Sequence, residues 1–187
     1  MTPGFANPVL GAQSSFRAVL HALAHPGTIL ELPDAPDPPA PLNAAAAALA
    51  LALCDADTAI WHDGDVAVAD WLRFHTGAPE APSREARFLI ATGAPPPLAA
   101  LPLGSDEAPQ DGATLILQVE GLAVAPGWRL TGPGIENSTN LRVTSLPAGF
   151  VAARAALAAL FPRGIDIVFC AGRRIAALPR TTGVEEV

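Results

Sequence analysis

The run Ala-Thr-Leu-Ile-Leu-Gln-Val at residues 113–119 leaves a chain of this kind little choice of architecture. A strand that is apolar at successive rather than alternate positions has no face to give to water. It belongs inside a sheet that is covered on both sides. The rest of the chain supplies covers of the right kind. Phe16, Val19, Leu20 and Leu23 fall at helical spacing and predict a helix over 13–24 with one apolar face, stopped by His25-Pro26-Gly27. Residues 42–54, apolar nearly all round, predict a buried helix; 66–74 and 148–160 predict two more. Short strands are expected at 28–32, 58–61, 87–91, 128–131, 141–144, 165–170 and 175–178. The strand at 128–131 should pair with 113–119, and Ala171-Gly172-Arg173-Arg174 should turn the last two into a hairpin. The Pro-rich stretch 33–41 reads as a stiff surface loop. Helices alternate with strands early and hairpins dominate late, which predicts an α/β fold: a three-layer mixed sheet flanked by helices, in one domain over 1–187. No internal repeat is visible.

Size and charge narrow the function. A chain of 187 residues buries roughly 70% of its unfolded surface and needs no metal or disulfide staple. A net charge of −7 repels phosphate backbones, so nucleic acid is not an expected partner. All eleven basic residues are Arg. Without Lys there is no Schiff base to pyridoxal phosphate, no P-loop and no lysine general base. Any phosphate or phosphonate must be held by Arg forks, hydroxyls or backbone N–H groups. Cys54 and Cys170 each close an apolar run and read as buried thiols. The N-terminus lacks the pattern of a signal peptide, and no apolar run reaches the ~20 residues that span a bilayer, so a cytoplasmic location without membrane contact is expected.

Several polar groups invite a functional reading, each beside a structural one. Gly132-Pro133-Gly134 begins like a dinucleotide loop, but Asn137 stands where the third Gly belongs, so a tight turn is the expectation. In Leu72-Arg73-Phe74-His75-Thr76, Arg73 offers a fork for an anion, His75 a proton near neutral pH and Thr76 a hydroxyl; alternatively Arg73 and His75 face the negative end of a helix that Gly77 and Pro79 stop. Arg17 follows Ser14 and Ser15, which read as helix-start residues. Pro179-Arg180-Thr181-Thr182 collects a guanidinium and two hydroxyls after the last expected strand, as an anion site or as a polar tail. His21, His25 and His62 lie singly, and no metal site is expected.

Taken in order, six blocks make the chain resemble the PhnH family, the H subunits of bacterial carbon–phosphorus (C–P) lyase core complexes. They are Ser15-Phe16-Arg17 with Pro26-Gly27; Leu72-Arg73-Phe74-His75-Thr76; Gly112 followed by 113–119; Leu130-Thr131-Gly132-Pro133-Gly134-Ile135; Phe161-Pro162-Arg163-Gly164-Ile165-Asp166; and Pro179-Arg180-Thr181-Thr182. An apolar residue is expected where Arg163 stands. The resemblance implies the fold of pyridoxal-phosphate-dependent transferases without the cofactor, and a chain without Lys agrees with that. It also implies association with the G, I and J subunits and a homodimer in isolation. The reaction implied is formation of ribose 1-alkylphosphonate 5-triphosphate from ATP and an alkylphosphonate, with the H subunit assisting and no catalytic residue assigned to it. A second reading gives the chain its own phosphonate or nucleotide site, drawn from Arg73, His75, Thr76, Arg180, Thr181 and Arg17. A third, a free-standing transferase, requires turnover by the lone chain.

Overall fold

A computed structural model of the protein describes residues 2–187. Strands β2 (Ile60–His62), β3 (Phe88–Ala91), β4 (Thr114–Gln118) and β7 (Asp166–Ala171) run parallel in a six-stranded sheet, from one edge inward. The chain then turns back through β8 (Arg174–Leu178), and β1 (Leu30–Glu31) closes the edge, giving the order β1-β8-β7-β4-β3-β2. The β7–β8 hairpin turns at Gly172-Arg173, with Gly172 at φ 64°, the conformation a two-residue hairpin requires at its first turn position. Leu115, Ile116 and Leu117 are all buried, so β4 is covered on both faces, as its apolar run dictates.

One cover is helical. Helices α1 (Pro8–Ala24), α2 (Ala44–Leu53) and α3 (Val66–Thr76) pack over Ile90, Ile116, Val168 and Ala177. Asn43 and Asp65 cap α2 and α3 through their side-chain oxygens, and Gly77 ends α3 in the left-handed conformation. The other cover differs from the expected helical layer. It is largely a three-stranded antiparallel sheet of β5 (Gly121–Thr131), β6 (Thr139–Thr144) and β9 (Gly183–Glu186), joined by α4 (Phe150–Leu157), over Leu89, Leu115, Ile167 and Phe169. Residues 128–131 therefore pair with β6 and β9, not with β4. Buried and exposed positions alternate through this part of β5, which suits a sheet with one wet face. The chain crosses from β2 to β3 over the helical face and from β3 to β4 over the other, while advancing the same way across the sheet. The two crossovers thus have opposite hands, against the right-handed habit of such units.

Helix α1 begins five residues before the expected start, at Asn7 and Pro8, and is rotated from the expected face. Gly11, Ser15, Val19 and Ala22 point inward, while Val9, Phe16 and Leu20 are exposed. Close approach to α2, whose packed surface is alanine from 45 to 48, favours small residues inward and turns the large ones out. Ser14 and Ser15 consequently lie in mid-helix. Helix α4 covers only part of 148–160, the remainder being a 3₁₀ turn at Ala158–Leu160.

Cys54 and Cys170 are free and buried, and burial pushes the Cys54 thiol up to about 12 and raises that of Cys170 as well. A thiol held protonated reacts only when the fold opens. At pH 8 both should stay silent to a disulfide-exchange reagent in buffer and titrate fully in denaturant. Phe169→Ala, at the centre of the sheet, should cost about 3–5 kcal/mol in chemical denaturation.

Candidate functional site

Asp166 opens β7 and Arg180 lies just beyond β8, so the hairpin register sets them side by side at the end of the sheet where the parallel strands begin. Arg180 donates from its backbone N–H (2.8 Å) and Nε (3.3 Å) to Oδ1 of Asp166, and from Nη2 to Oδ2 (2.7 Å). Its Nη1 donates to the carbonyl of Pro109. The guanidinium passes Gly112 and Gly164, and a Cβ at Gly112 would stand 2.2 Å from the Gly164 carbonyl oxygen and 2.9 Å from Nη1. From α4, Arg154 reaches the same place, buried to 3% exposure, and its Nη2 donates to the carbonyls of Pro179 (2.7 Å) and Thr182 (3.5 Å). Burial pulls its pKa below the ordinary arginine value; the Asp166 charge opposes that shift and Arg180 adds to it. The residues after Thr182 form β9 rather than a polar tail.

Gly132-Pro133-Gly134 completes this region as a turn. Gly134, at φ 82°, lies so close to α1 that a Cβ would meet the Ala24 carbonyl oxygen at 2.0 Å, while Gly132 faces the Thr181 carbonyl. The blocks at Pro26-Gly27, Gly112, Gly132–Gly134, Phe161–Asp166 and Pro179–Thr182 thus converge in space. Between them lies a cavity of about 380 Å³ lined by Pro133, Ala158, Phe161, Arg180, Thr181 and Thr182. Arg163, unexpected in sequence, turns outward to an ion pair with Asp106 at 3.2 Å.

The other sequence-selected residues lie elsewhere. Arg73 is exposed and paired with Asp70 one turn earlier. The Thr76 hydroxyl donates to the Leu72 carbonyl (2.7 Å) and accepts from the Ala78 N–H (3.0 Å), closing the end of α3. His75 Nε2 lies 3.1 Å from the Thr2 carbonyl, which also accepts from Trp71 Nε1 (3.0 Å), so the histidine ties the N-terminal segment to α3. Arg17 stands on the outer face of α1. Of the six candidates, only Arg180 and Thr181 share a cavity.

A larger cleft, about 570 Å³, opens at the carboxyl ends of β3 and β4, where open α/β sheets bind ligands. Asn43, Thr92, Gly93, Gln118, Glu120 and Ser145 are among its lining. Its amides are engaged: Asn43 Nδ2 donates to the Cys170 carbonyl and Gln118 Nε2 to that of Pro41. The carboxylate of Asp63 accepts from Thr92 N–H, Thr92 Oγ1 and Gly93 N–H at 2.7–2.9 Å. No Arg or His lines this cleft. It has no signature in the sequence because its parts sit in four unrelated loops. Among the described residues, no group of three His, Cys, Asp or Glu side chains is placed to hold a metal ion, and no helix is long and apolar enough to cross a membrane.

The Asp166–Arg180 pair is shielded, with side-chain exposures of 26% and 15%, so removing one partner strands the other. Asp166→Ala should cost about 3 kcal/mol in chemical denaturation. The double replacement with Arg180→Ala should cost less than the sum of the two single ones. Gly134→Ala, forced against the Ala24 carbonyl, should lower the thermal midpoint clearly more than Gly149→Ala, which meets nothing within 4 Å.

Residues 3–185 match the family described as bacterial phosphonate metabolism protein (PhnH). The alpha-D-ribose 1-methylphosphonate 5-triphosphate synthase subunit PhnH of Rhizobium meliloti (strain 1021) is 40% identical over 187 residues, covering 97% of this chain and 94% of the relative. HtxG of Stutzerimonas stutzeri, whose name refers it to a C-P lyase, is 32% identical over 172 residues, covering 92% and 85%. The chain belongs to the PhnH family of bacterial phosphonate metabolism proteins.

Proposed function

We propose that the chain is an accessory subunit of a C–P lyase core complex in organic phosphonate catabolism. In this reading it is a single cytoplasmic α/β domain that works with the G, I and J subunits. It assists the step that joins an alkylphosphonate to the ribose of ATP, giving ribose 1-alkylphosphonate 5-triphosphate, and pairs as a homodimer when isolated. The observation that carries the reading is 40% identity, along nearly the whole chain, to a protein named as a subunit of the synthase that makes the methyl form of that product.

The surface of the helical layer supports it. Val9, Phe16 and Leu20 lie one above another on the outside of α1, 76%, 45% and 51% exposed, with Leu10 beside them. An exposed apolar stripe of this kind, interrupted by Gln13, suits an interaction site. Its ionisable residues are Arg17 and His21, with His25 just beyond the helix; α1 holds no carboxylate, although the whole chain is acidic. Self-pairing through α1 would bring Arg17 toward its own copy, so the stripe suits another subunit whose contact surface is apolar with an acidic rim. The homodimer then uses a different face.

The main sheet, with its parallel strands and antiparallel edge pair, is in this reading a cofactorless relative of the pyridoxal-phosphate-dependent transferases. Pyridoxal phosphate itself does not fit. The chain has no Lys to bind it covalently, and in the carboxyl-end cleft the Glu120 carboxylate opposes its phosphate.

Coexpression with tagged G, I and J subunits tests the proposal. The wild-type chain should copurify with them, and the purified chain alone should not turn over ATP with methylphosphonate. Phe16→Glu combined with Leu20→Glu should weaken that association at least about a hundredfold, with the thermal midpoint and the homodimer of the isolated chain unchanged. A wild-type chain that never copurifies contradicts the reading.

A further inference from the structure

The cluster of charged side chains that backs the cavity at Arg180 has an imbalance that the fold alone does not require. Two guanidinium groups, Arg154 and Arg180, face one carboxylate, Asp166, and that carboxylate is taken by Arg180. Among the described residues Arg154 forms no ion pair. A cation buried to this degree normally has a counter-charge. Two buried polar atoms also lack partners here: Nε of Arg154, and Oγ1 of Thr182, a residue of the cavity wall that is 4% exposed. Native proteins rarely leave such atoms unsatisfied. The remaining wall is apolar, with Pro133, Ala158 and Phe161, and Phe161 stays 64% exposed.

We propose that this cavity binds a small organic phosphonate or phosphate monoester. Its dianionic head supplies the missing negative charge and accepts from Arg180 and from the hydroxyls of Thr181 and Thr182. Its organic substituent lies over Phe161 and Pro133. The volume, about 380 Å³, suits a ligand of this size. A tetrahedral head can take donors arriving from a guanidinium and from two successive hydroxyls, whereas a planar carboxylate best matches a single fork. The choice of phosphonate among tetrahedral anions rests on the function proposed above; the existence of an anion site does not. Arg154, bonded to the carbonyls of Pro179 and Thr182, is not part of the cavity lining, and Arg73, His75, Thr76 and Arg17 take no part in it either.

The test is calorimetry on the isolated full-length chain with phenylphosphonate, methylphosphonate, inorganic phosphate and benzoate, at low and high salt. Phenylphosphonate should bind about three- to tenfold more tightly than inorganic phosphate, the worth of one aromatic contact. Benzoate should bind more weakly than either, and all binding should weaken as salt rises. Phe161→Ala should erase the preference for phenylphosphonate and leave inorganic phosphate unaffected. Thr182→Val, which keeps the shape of the side chain, should weaken every anion while the thermal midpoint shows that the fold persists. No saturable heat up to about 10 mM of any of these anions, or binding indifferent to both substitutions, overturns the proposal. Because no other subunit is present, that failure is distinct from a failure to copurify.

Discussion

Burial of β4 on both faces is the constraint from which the remaining architecture follows. Leu115, Ile116 and Leu117 have no wet side, so the chain must supply a layer above and a layer below. Above, the layer is tight because α2 is made of little but alanine and leucine: a helix without long side chains sits close to the sheet and lets α1 and α3 flank it. That closeness has a consequence for shape. Helix α1 meets α2 with Gly11, Ser15 and Ala22, so its large apolar residues have nowhere to go but outward. The exposed stripe of Val9, Phe16 and Leu20 is therefore a consequence of small-residue packing within the chain as well as a surface for another one.

Below the sheet the layer is held by different means. Trp128, Phe150 and Phe169 form an aromatic group between β5, α4 and β7, with ring centroids 5.8–6.4 Å apart. Near its edge, glycines let backbones touch: Gly112 against Gly164, Gly132 against Thr181, Gly134 against Ala24. Such contacts tolerate no Cβ, and they fix where Asp166, Arg180 and Arg154 can meet. The short motifs that give the chain its family resemblance are individually weak because most of them are turns. Their meaning lies in the one place where five of them touch.

What can be read in the sequence is local. The β4 run, the apolar run of α2, the Gly77 stop of α3 and the turn of the β7–β8 hairpin each carry their signal within a few residues. What cannot be read is pairwise in space. The partner of residues 128–131 depends on β6 and β9, and β9 itself is a short, mostly polar strand with no apolar alternation to announce it. The inward face of α1 depends on the alanines opposite, which favour Gly11 and Ser15 over Phe16. Arg154 leaves no trace because one arginine in an alanine-rich helix reads as a solvated residue. The polar residues that do stand out at the end of α3 have nearby partners: Asp70 for Arg73, the Leu72 carbonyl for Thr76 and the Thr2 carbonyl for His75.

The two ends of the sheet are electrically unlike, and this bears on how the chain works within an assembly. The carboxyl-end cleft has Glu120 in its wall and Asp63 bonded to Thr92 and Gly93, with no cation lining it. The opposite end gathers Arg154 and Arg180 around a single carboxylate, in surroundings that are largely shielded from water. Screening confines such local fields to about 8–10 Å at ordinary ionic strength. A chain of net charge −7 therefore repels an approaching anion at long range and attracts it at short range at this end. That arrangement is poor for collecting a dilute anion from solution. It is well suited to holding one that a neighbouring subunit presents at short range, where the local pair of guanidinium groups outweighs the charge of the rest.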